Sequence, residues 1–429
     1  MKRVISLLLV LVLMISLVGC AGKKEQPSAS KPEEGKSGEL SGKVVVWSWD
    51  VAAKSLEDAA VEFNKIHPNV KIEIEDLGTE QVYEKLLTRL ASKTGLPDVV
   101  TMEGAMVATY ASKFPEGFAD MTDVVKAEDF LPVKMGEVTC NGKVVAFPWD
   151  GAPSGLFYRA DLFEKAGINP DNIKTWDDFI KEGKKMEAIG VKMMPVAASK
   201  NPTFLEMLYN QTGSFLFDEK GNPTVNSEKG IKAATTLKNL YDAGLTFDNG
   251  DWDGLVSATK EGKIATVPTA VWWAGTLIDE VKESAGNWRV MPLPLIEEGM
   301  DFGAVNGGSN VLVPADAPNK AAAIEFVKFA MTDVKCQINA FSKYGLYPSY
   351  KPAYEDPVFD QAVEYFGGQK IWKFFADISD KVPNVNYTEN YDEAHDYLKD
   401  AQARILLKGE DVKATLDDLQ KTYTEKFGK

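Results

Sequence analysis

The 429-residue chain carries 48 basic and 63 acidic side chains, a net charge of −15 at neutral pH. That balance argues against a nucleic-acid partner, whose phosphates need clustered Lys and Arg, and suits an exported domain that must stay dispersed. There are two histidines, His67 and His395, and no His, Cys and carboxylate cluster has ligand spacing, so no metal or other cofactor is indicated. No G-x-S-x-G is present, which weighs against a nucleophile-elbow hydrolase.

The chain opens on a targeting segment. Lys2 and Arg3 form its basic end, and Val4 to Val18 is an almost wholly apolar run, short for a membrane span. Leu17-Val18-Gly19-Cys20 is a lipobox, so residues 1–19 read as a cleaved leader and Cys20 as the lipidated residue. Two or more acyl chains, at roughly 0.8 kcal/mol per buried CH2, make a stable anchor. Residues 20–40 hold Gly, Lys, Glu, Pro and Ser and read as a tether reaching roughly 25 Å. The roughly 390 residues beyond are enough for two lobes. Cys140 and Cys336 either pair or stand as free thiols.

Lys43 to Trp49 is a β-branched run and reads as a buried first strand ending in Trp49-Asp50. Leu56 to Ile66 has helical spacing, stopped by Pro68. Val70 to Ile74 alternates as a second strand. Glu80 to Ser92 is a helix, and Asp98 to Glu103 a third strand with its loop. This order predicts a parallel α/β sheet, whose ligands sit beyond the strand ends, here Trp49-Asp50 and Met102-Glu103. Phe147 to Arg159 follows as an extended run. Pro148 and Pro153 push their predecessors towards β geometry. Such a run suits a hinge strand with Trp149 and Asp150 facing the space between two lobes, or a buried strand with a proline-bounded turn.

Thr175-Trp176-Asp177-Asp178 predicts a capping box opening a helix to Ile189. Phe204 to Tyr209 reads as helical, and Ser227 caps a helix closed by Gly244. Ile264 to Pro268 is a short strand leading to Trp272-Trp273. Of these two, Trp273 is assigned to the cleft; Trp176 and Trp288 read as packing residues. Gly307-Gly308-Ser309 precedes the strand Val311 to Val313, and Asn319 caps a helix to Met331. Two amphipathic helices, Tyr391 to Leu407 and Asp411 to Phe427, end the chain.

Aromatic residues recur where strands end, and Asp50, Glu80, Glu103, Asp150 or Ser309 stand near several of them. That pairing matches a sugar: C–H faces stack on rings, and vicinal hydroxyls donate to carboxylates. Clefts between lobes are where such groups converge.

At this point the chain resembles the extracellular solute-binding proteins of ABC sugar importers, the maltose-binding-protein-like group. The likeness rests on Phe63-Asn64-Lys65-Ile66-His67-Pro68, Leu96-Pro97-Asp98-Val99-Val100, Leu156-Phe157-Tyr158-Arg159-Ala160-Asp161-Leu162, Glu261-Gly262-Lys263-Ile264-Ala265 and Gly345-Leu346-Tyr347-Pro348-Ser349. It implies a two-lobed α/β periplasmic-binding-protein (type II) fold with discontinuous lobes joined by crossover strands. Lobe one would be 41–150 plus 306–345, and lobe two 151–305 plus 346–429. It implies sugar contacts at Trp49, Asp50, Met102, Glu103, Trp149, Asp150, Phe204, Trp273, Gly308, Ser309, Trp372 and Tyr387; Glu80 joins them from the pairing of carboxylates with rings. It implies a non-enzymatic monomer, lipid-anchored outside the cell membrane, that hands an oligosaccharide to ABC permease subunits. Phe366 to Trp372 and Asn386-Tyr387-Thr388 resemble binders of arabino- or xylo-oligosaccharides. Competing expectations are a surface glycosidase using two of Asp50, Glu103 and Asp150, a receptor for a cationic or peptide ligand, and a structural lipoprotein.

Overall fold

The computed structural model describes residues 40–428. The leader, Cys20 and the tether up to residue 39 lie outside the described residues. β1 (Gly42–Ser48) buries Val44 and Val46 completely. α1 (Asp50–Ile66) starts two residues later. Ala52, Leu56, Ala59, Ala60 and Phe63 recur on its inner face and are all buried. Pro68 forbids its continuation. β2 (Val70–Asp76), α2 (Thr79–Ser92) and β3 (Val99–Glu103) complete a βαβαβ unit, in which β1 pairs in parallel with both β2 and β3. α3 (Gly104–Lys113) begins directly at the end of β3. Then come α4 (Pro132–Val138), the hairpin β4 (Thr139–Cys140) and β5 (Lys143–Val144), and the strands β6 (Phe147–Pro148) and β7 (Ser154–Arg159).

The second lobe continues with α5 (Ala160–Ala166), α6 (Trp176–Gly183), β8 (Met194–Pro195), α7 (Thr203–Gln211), α8 (Glu228–Asp242), β9 (Thr246–Phe247), α9 (Trp252–Lys260), β10 (Thr266–Ala270), α10 (Trp273–Glu280) and β11 (Trp288–Met291). β12 (Ser309–Leu312), α11 (Lys320–Thr332) and α12 (Val334–Tyr344) return to the first sheet. α13 (Ile371–Ser379), α14 (Tyr391–Leu407) and α15 (Val412–Phe427) end the chain. The local signals act as their chemistry requires. Thr175 and Asp178 exchange both bonds of the capping box. Ser227 and Asp411 cap α8 and α15. Asn319 is a correction: its side chain caps nothing, while its backbone N–H donates to Asp98 Oδ1 at 2.6 Å.

Two sheets organise the molecule. The first has the order β2-β1-β3-β12-β6, with β12 antiparallel to both neighbours; the second is β10-β7-β11, antiparallel throughout. The run Phe147 to Arg159 therefore passes from one sheet to the other. The stretch after β11 and the stretch after α12 cross beside it. Backbone bonds stitch the three together: Ser154 N–H donates to Ala304 O at 2.9 Å, Gly151 N–H to Tyr347 O at 2.7 Å and Ser349 N–H to Trp149 O at 2.8 Å. Separate hydrophobic interiors form on either side. Val44, Leu56, Phe63, Val311 and Phe326 share one, while Trp176, Leu208 and Leu237 share another. Trp273, Trp288 and Phe375 belong to a third, beside the second sheet. Full burial of a ring such as Phe63 contributes about 1.5–3 kcal/mol. Among the described residues no helix is long and apolar enough to cross a membrane. Cys140 and Cys336 are free thiols, and burial pushes them up to about 11 and about 12.

Candidate functional site

Where the lobes face each other there is a hollow of about 340 Å³. The end of β3 and the first turn of α3 supply Glu103, Gly104, Ala105 and Met106. The crossing stretch supplies Val305 to Gly308. The second lobe supplies Thr203, Glu206, Phe215, Tyr387, Tyr391, Asp392 and His395. A second hollow of about 370 Å³ runs further along α3, and Tyr387 lines both.

The first-lobe wall is largely backbone. Ser309 pairs with Glu103 in the sheet, and Gly104 N–H donates to Gly308 O at 3.0 Å. Gly308 has φ +100°, and a Cβ there would stand 2.7 Å from Asp150 O and 3.1 Å from Lys134 Nζ. Only glycine fits without a shift of the backbone. No side chain caps α3, so the helix leaves the Ala105 and Met106 amides without intrahelical partners at the hollow.

Beneath this wall lies a buried charge cluster. Lys134 is fully buried and donates to Glu137 Oε2, which also accepts from Asn310 Nδ2 at 3.1 Å. Asp150 Oδ1 accepts from the Ser309 amide at 2.6 Å. Burial pushes the Glu137 and Asp150 carboxyls above the usual carboxylate range, and the Lys134 ammonium works against that rise in both. The cluster ties α4, β12 and the stretch just past β6 together beside Gly308.

The second-lobe wall is built of side chains. Glu206, in the first turn of α7, is gripped from α14. Tyr391 OH donates to its Oε2 at 3.1 Å, and His395 Nδ1 lies 2.8 Å from its Oε1. Tyr391 and His395 stand one turn apart on the same face. Burial alone would push His395 down, but its bond to the Glu206 carboxylate outweighs that and holds the imidazole above its usual range. Phe215 stacks on Tyr391, and Tyr387 meets both edge-on. Burial pushes the Tyr387 and Tyr391 hydroxyls well up, so both stay neutral.

Two further groups flank the hollow. Tyr83 OH donates to Glu103 Oε2 and accepts from the Glu103 amide, both at 3.1 Å, and Trp49 meets the Tyr83 ring edge-on. On the other side Trp272 Nε1 donates to Asn306 O at 2.8 Å, beside Gly307, and the Trp252 ring lies 5.9 Å away, 46% exposed.

Of the residues expected from sequence, Glu103, Gly308 and Tyr387 line the hollow. Trp49 and Ser309 adjoin it through Tyr83 and Glu103. Asp50 is exposed, with a left-handed φ of 44° and its amide donating to Asp76 Oδ1 at 3.0 Å. Glu80 is exposed in the first turn of α2 and lies outside the lining. The interior positions are corrections. Met102, Trp149 and Trp273 are 0%, 2% and 0% exposed: Met102 on β3 and Trp149 just past β6 pack into the first-sheet interior, and Trp273 on α10 into the one beside the second sheet. Asp150 is buried as a strut between crossing stretches. Trp272, its neighbour, is half-buried and stands beside Asn306 and Gly307 of the lining. Phe204 packs edge-on against Trp176, and Trp372 against Phe341, both away from the hollow. Trp176 and Trp288 are packing residues, 1% and 0% exposed. Tyr83, Glu206, Phe215, Tyr391 and His395 were not singled out by the sequence. The rarity of histidine and the helical phase of α14 point to His395, but nothing local points to its partner.

Residues 48–334 match the family model described as "Bacterial extracellular solute-binding protein". A lactose-binding protein of Rhizobium radiobacter is 30% identical over 359 residues, 81% of this chain and 84% of the relative. An arabinooligosaccharide-binding protein of Bacillus subtilis is 26% identical over 417 residues, 93% of each chain. The sugar-binding protein MalE of Xanthomonas citri superposes with a TM-score of 0.77 at 18% identity, over 90% of this chain and 97% of that one. The α/β architecture of discontinuous lobes joined by crossover strands is thus the type II periplasmic-binding-protein fold, and the chain belongs to the bacterial extracellular solute-binding protein family.

Proposed function

We propose that the protein is an extracytoplasmic receptor that captures an oligosaccharide and delivers it to the permease of an ABC importer. The observation that carries this reading is the chemistry of the hollow. The rings of Phe215, Tyr387 and Tyr391 stand beside the Glu103 and Glu206 carboxylates and the free amides of α3. A sugar hydroxyl donates and accepts at once. The carboxylates accept a hydrogen bond from its O–H, the helix amides donate to its oxygen, and the rings take the C–H faces. Trp49, Asp50, Ser309 and Trp272 extend the same surface. The lactose and arabinooligosaccharide binders among the relatives nominate galactosides and arabinosides as the first ligands to try.

The hollow takes its walls from both lobes, so a ligand makes all its contacts only when the lobes close. The crossing stretches near Asp150, Val305 and Gly345 are the hinge and the lobe boundaries. Cys20 carries the lipid that holds this monomeric receptor at the membrane.

The test is calorimetric titration of the full chain in detergent with lactose, galactobiose and arabino-oligosaccharides of two to four units. Saturable heat with at least one, and a raised unfolding temperature in its presence, is expected. Silence from the whole panel would overturn the reading.

A further inference from the structure

The charges around the hollow name the ligand class more narrowly. Three carboxylates face it: Glu103 from the first lobe, Glu206 and Asp392 from the second. Among the described lining residues there is no lysine and no arginine, and His395 is the one side chain that can carry positive charge. Three helices, α3, α7 and α14, also open onto the hollow with their N-terminal turns. Each such end acts as roughly half a positive charge, about +1.5 in all. Those ends are answered where they arise, because Glu103 is the N-cap residue of α3 while Glu206 and Asp392 lie in the first turns of α7 and α14. Against the three carboxylates stand the helix ends and the imidazole of His395, which is turned to Glu206, so Glu103 and Asp392 are the two acidic groups left without a cationic side chain in the lining.

This arrangement tells a hydroxyl from a carboxylate. A hydroxyl donates a hydrogen bond to a carboxylate oxygen and accepts one from an amide N–H on the same atom. An anionic group can use only the amides, and it must approach them past the Glu103 and Asp392 carboxylates, with His395 already engaged by Glu206 and no lysine or arginine among the described lining residues. We propose that the site selects neutral sugar chains and rejects those bearing a uronic acid, with Glu103 and Asp392 as the specificity-determining charges on facing walls. The inference rests on the receptor reading above and narrows it. It differs from that reading in what it forbids.

The experiment titrates the full chain with lactose, arabinobiose and arabinotriose as neutral probes. Lactose oxidised to the carboxylate at C6 of its galactose, and digalacturonate, serve as anionic ones. The expected result is that a neutral sugar binds while its acidic counterpart binds at least about tenfold more weakly. Added salt should narrow the gap by screening. Asp392→Asn and Glu103→Gln should narrow it too, judged by the ratio of the two affinities within each variant, so a general loss of affinity does not mimic the effect. Asp392 is exposed, so its change leaves the packed interior alone. If a neutral sugar binds and its oxidised form binds as well or better, this inference falls and the receptor reading stands. If no probe of either class binds, the receptor reading falls and takes this one with it.

Discussion

The two walls of the hollow are made differently. The first-lobe wall is main chain: a helix start, a pair of glycines and a strand end, braced from below by Lys134, Glu137 and Asp150. The second-lobe wall is side chain: three aromatic rings and a carboxylate held by Tyr391 and His395. Main-chain donors stand where the fold puts them and cannot be exchanged by a point mutation, whereas rings and carboxylates can. Glu103 apart, the first wall is therefore the general one, and the second is where one receptor would differ most from another.

The sharpest way to break that contrast is to remove the brace. Lys134→Met deletes the one ammonium beneath the glycines and leaves two buried carboxyls uncompensated. Loss of one partner from a buried pair costs about 3–5 kcal/mol, measurable as a fall in the urea midpoint. The variant should regain stability towards acid pH. The folded state holds the Glu137 and Asp150 protons more tightly than the unfolded one, so stability falls as pH rises through the window above the unfolded carboxyl values. A loss below about 1 kcal/mol, or one that does not ease in acid, would show that the cluster is no brace.

The adjacent tryptophans sharpen the contrast within the second lobe. Trp273 is wholly buried, and Trp273→Ala should cost about 3–5 kcal/mol of stability. Trp272 is half-buried beside Gly307, so Trp272→Ala should spare most of the stability and weaken sugar binding by about tenfold. Paired unfolding and titration curves decide it. A reversal of the two effects would move the ligand surface elsewhere.

These tryptophans also show where reading from sequence stops. The βαβαβ unit is legible because strand alternation and the helical spacing of α1 and α2 are local. So are the capping box at Thr175 and the cap at Ser227. Which of two neighbouring indoles faces solvent is not local. It depends on β10 pairing with β7 and turning α10 so that Trp273 faces the interior. Trp149 stands near the start of a run whose aromatic character suits a cleft as well as a core, and only the antiparallel insertion of β12 beside β6 closes it in. Lys134 on a short helix carries no local sign of its burial, because Gly308 and Asp150 reach it from distant segments. Glu103 and Gly308 are legible because a strand end and a glycine pair mark themselves. Glu206 and His395 stand 189 positions apart, and no periodicity connects them.

The smallest effect expected is the titration of that pair. Unfolded, His395 should titrate near its ordinary value of about 6.5. Folded, burial opposes the charged form but the Glu206 carboxylate prevails, and the value is raised. Asp396 and Lys399, on the same helix, push in opposite directions and leave Glu206 dominant. The native state therefore holds the extra proton over the window above the unfolded value. Its contribution to stability is complete below about 6.5 and is lost as pH rises through the folded value. Urea midpoints of the native chain and of Glu206→Gln, compared from about pH 5 to about pH 8, should differ most at the acid end and converge as the imidazole loses its proton. A gap that stays constant with pH would mean that His395 touches Glu206 as a neutral hydrogen-bond partner only. The second wall would then be held by Tyr391 and by ring packing, with no charge in its support.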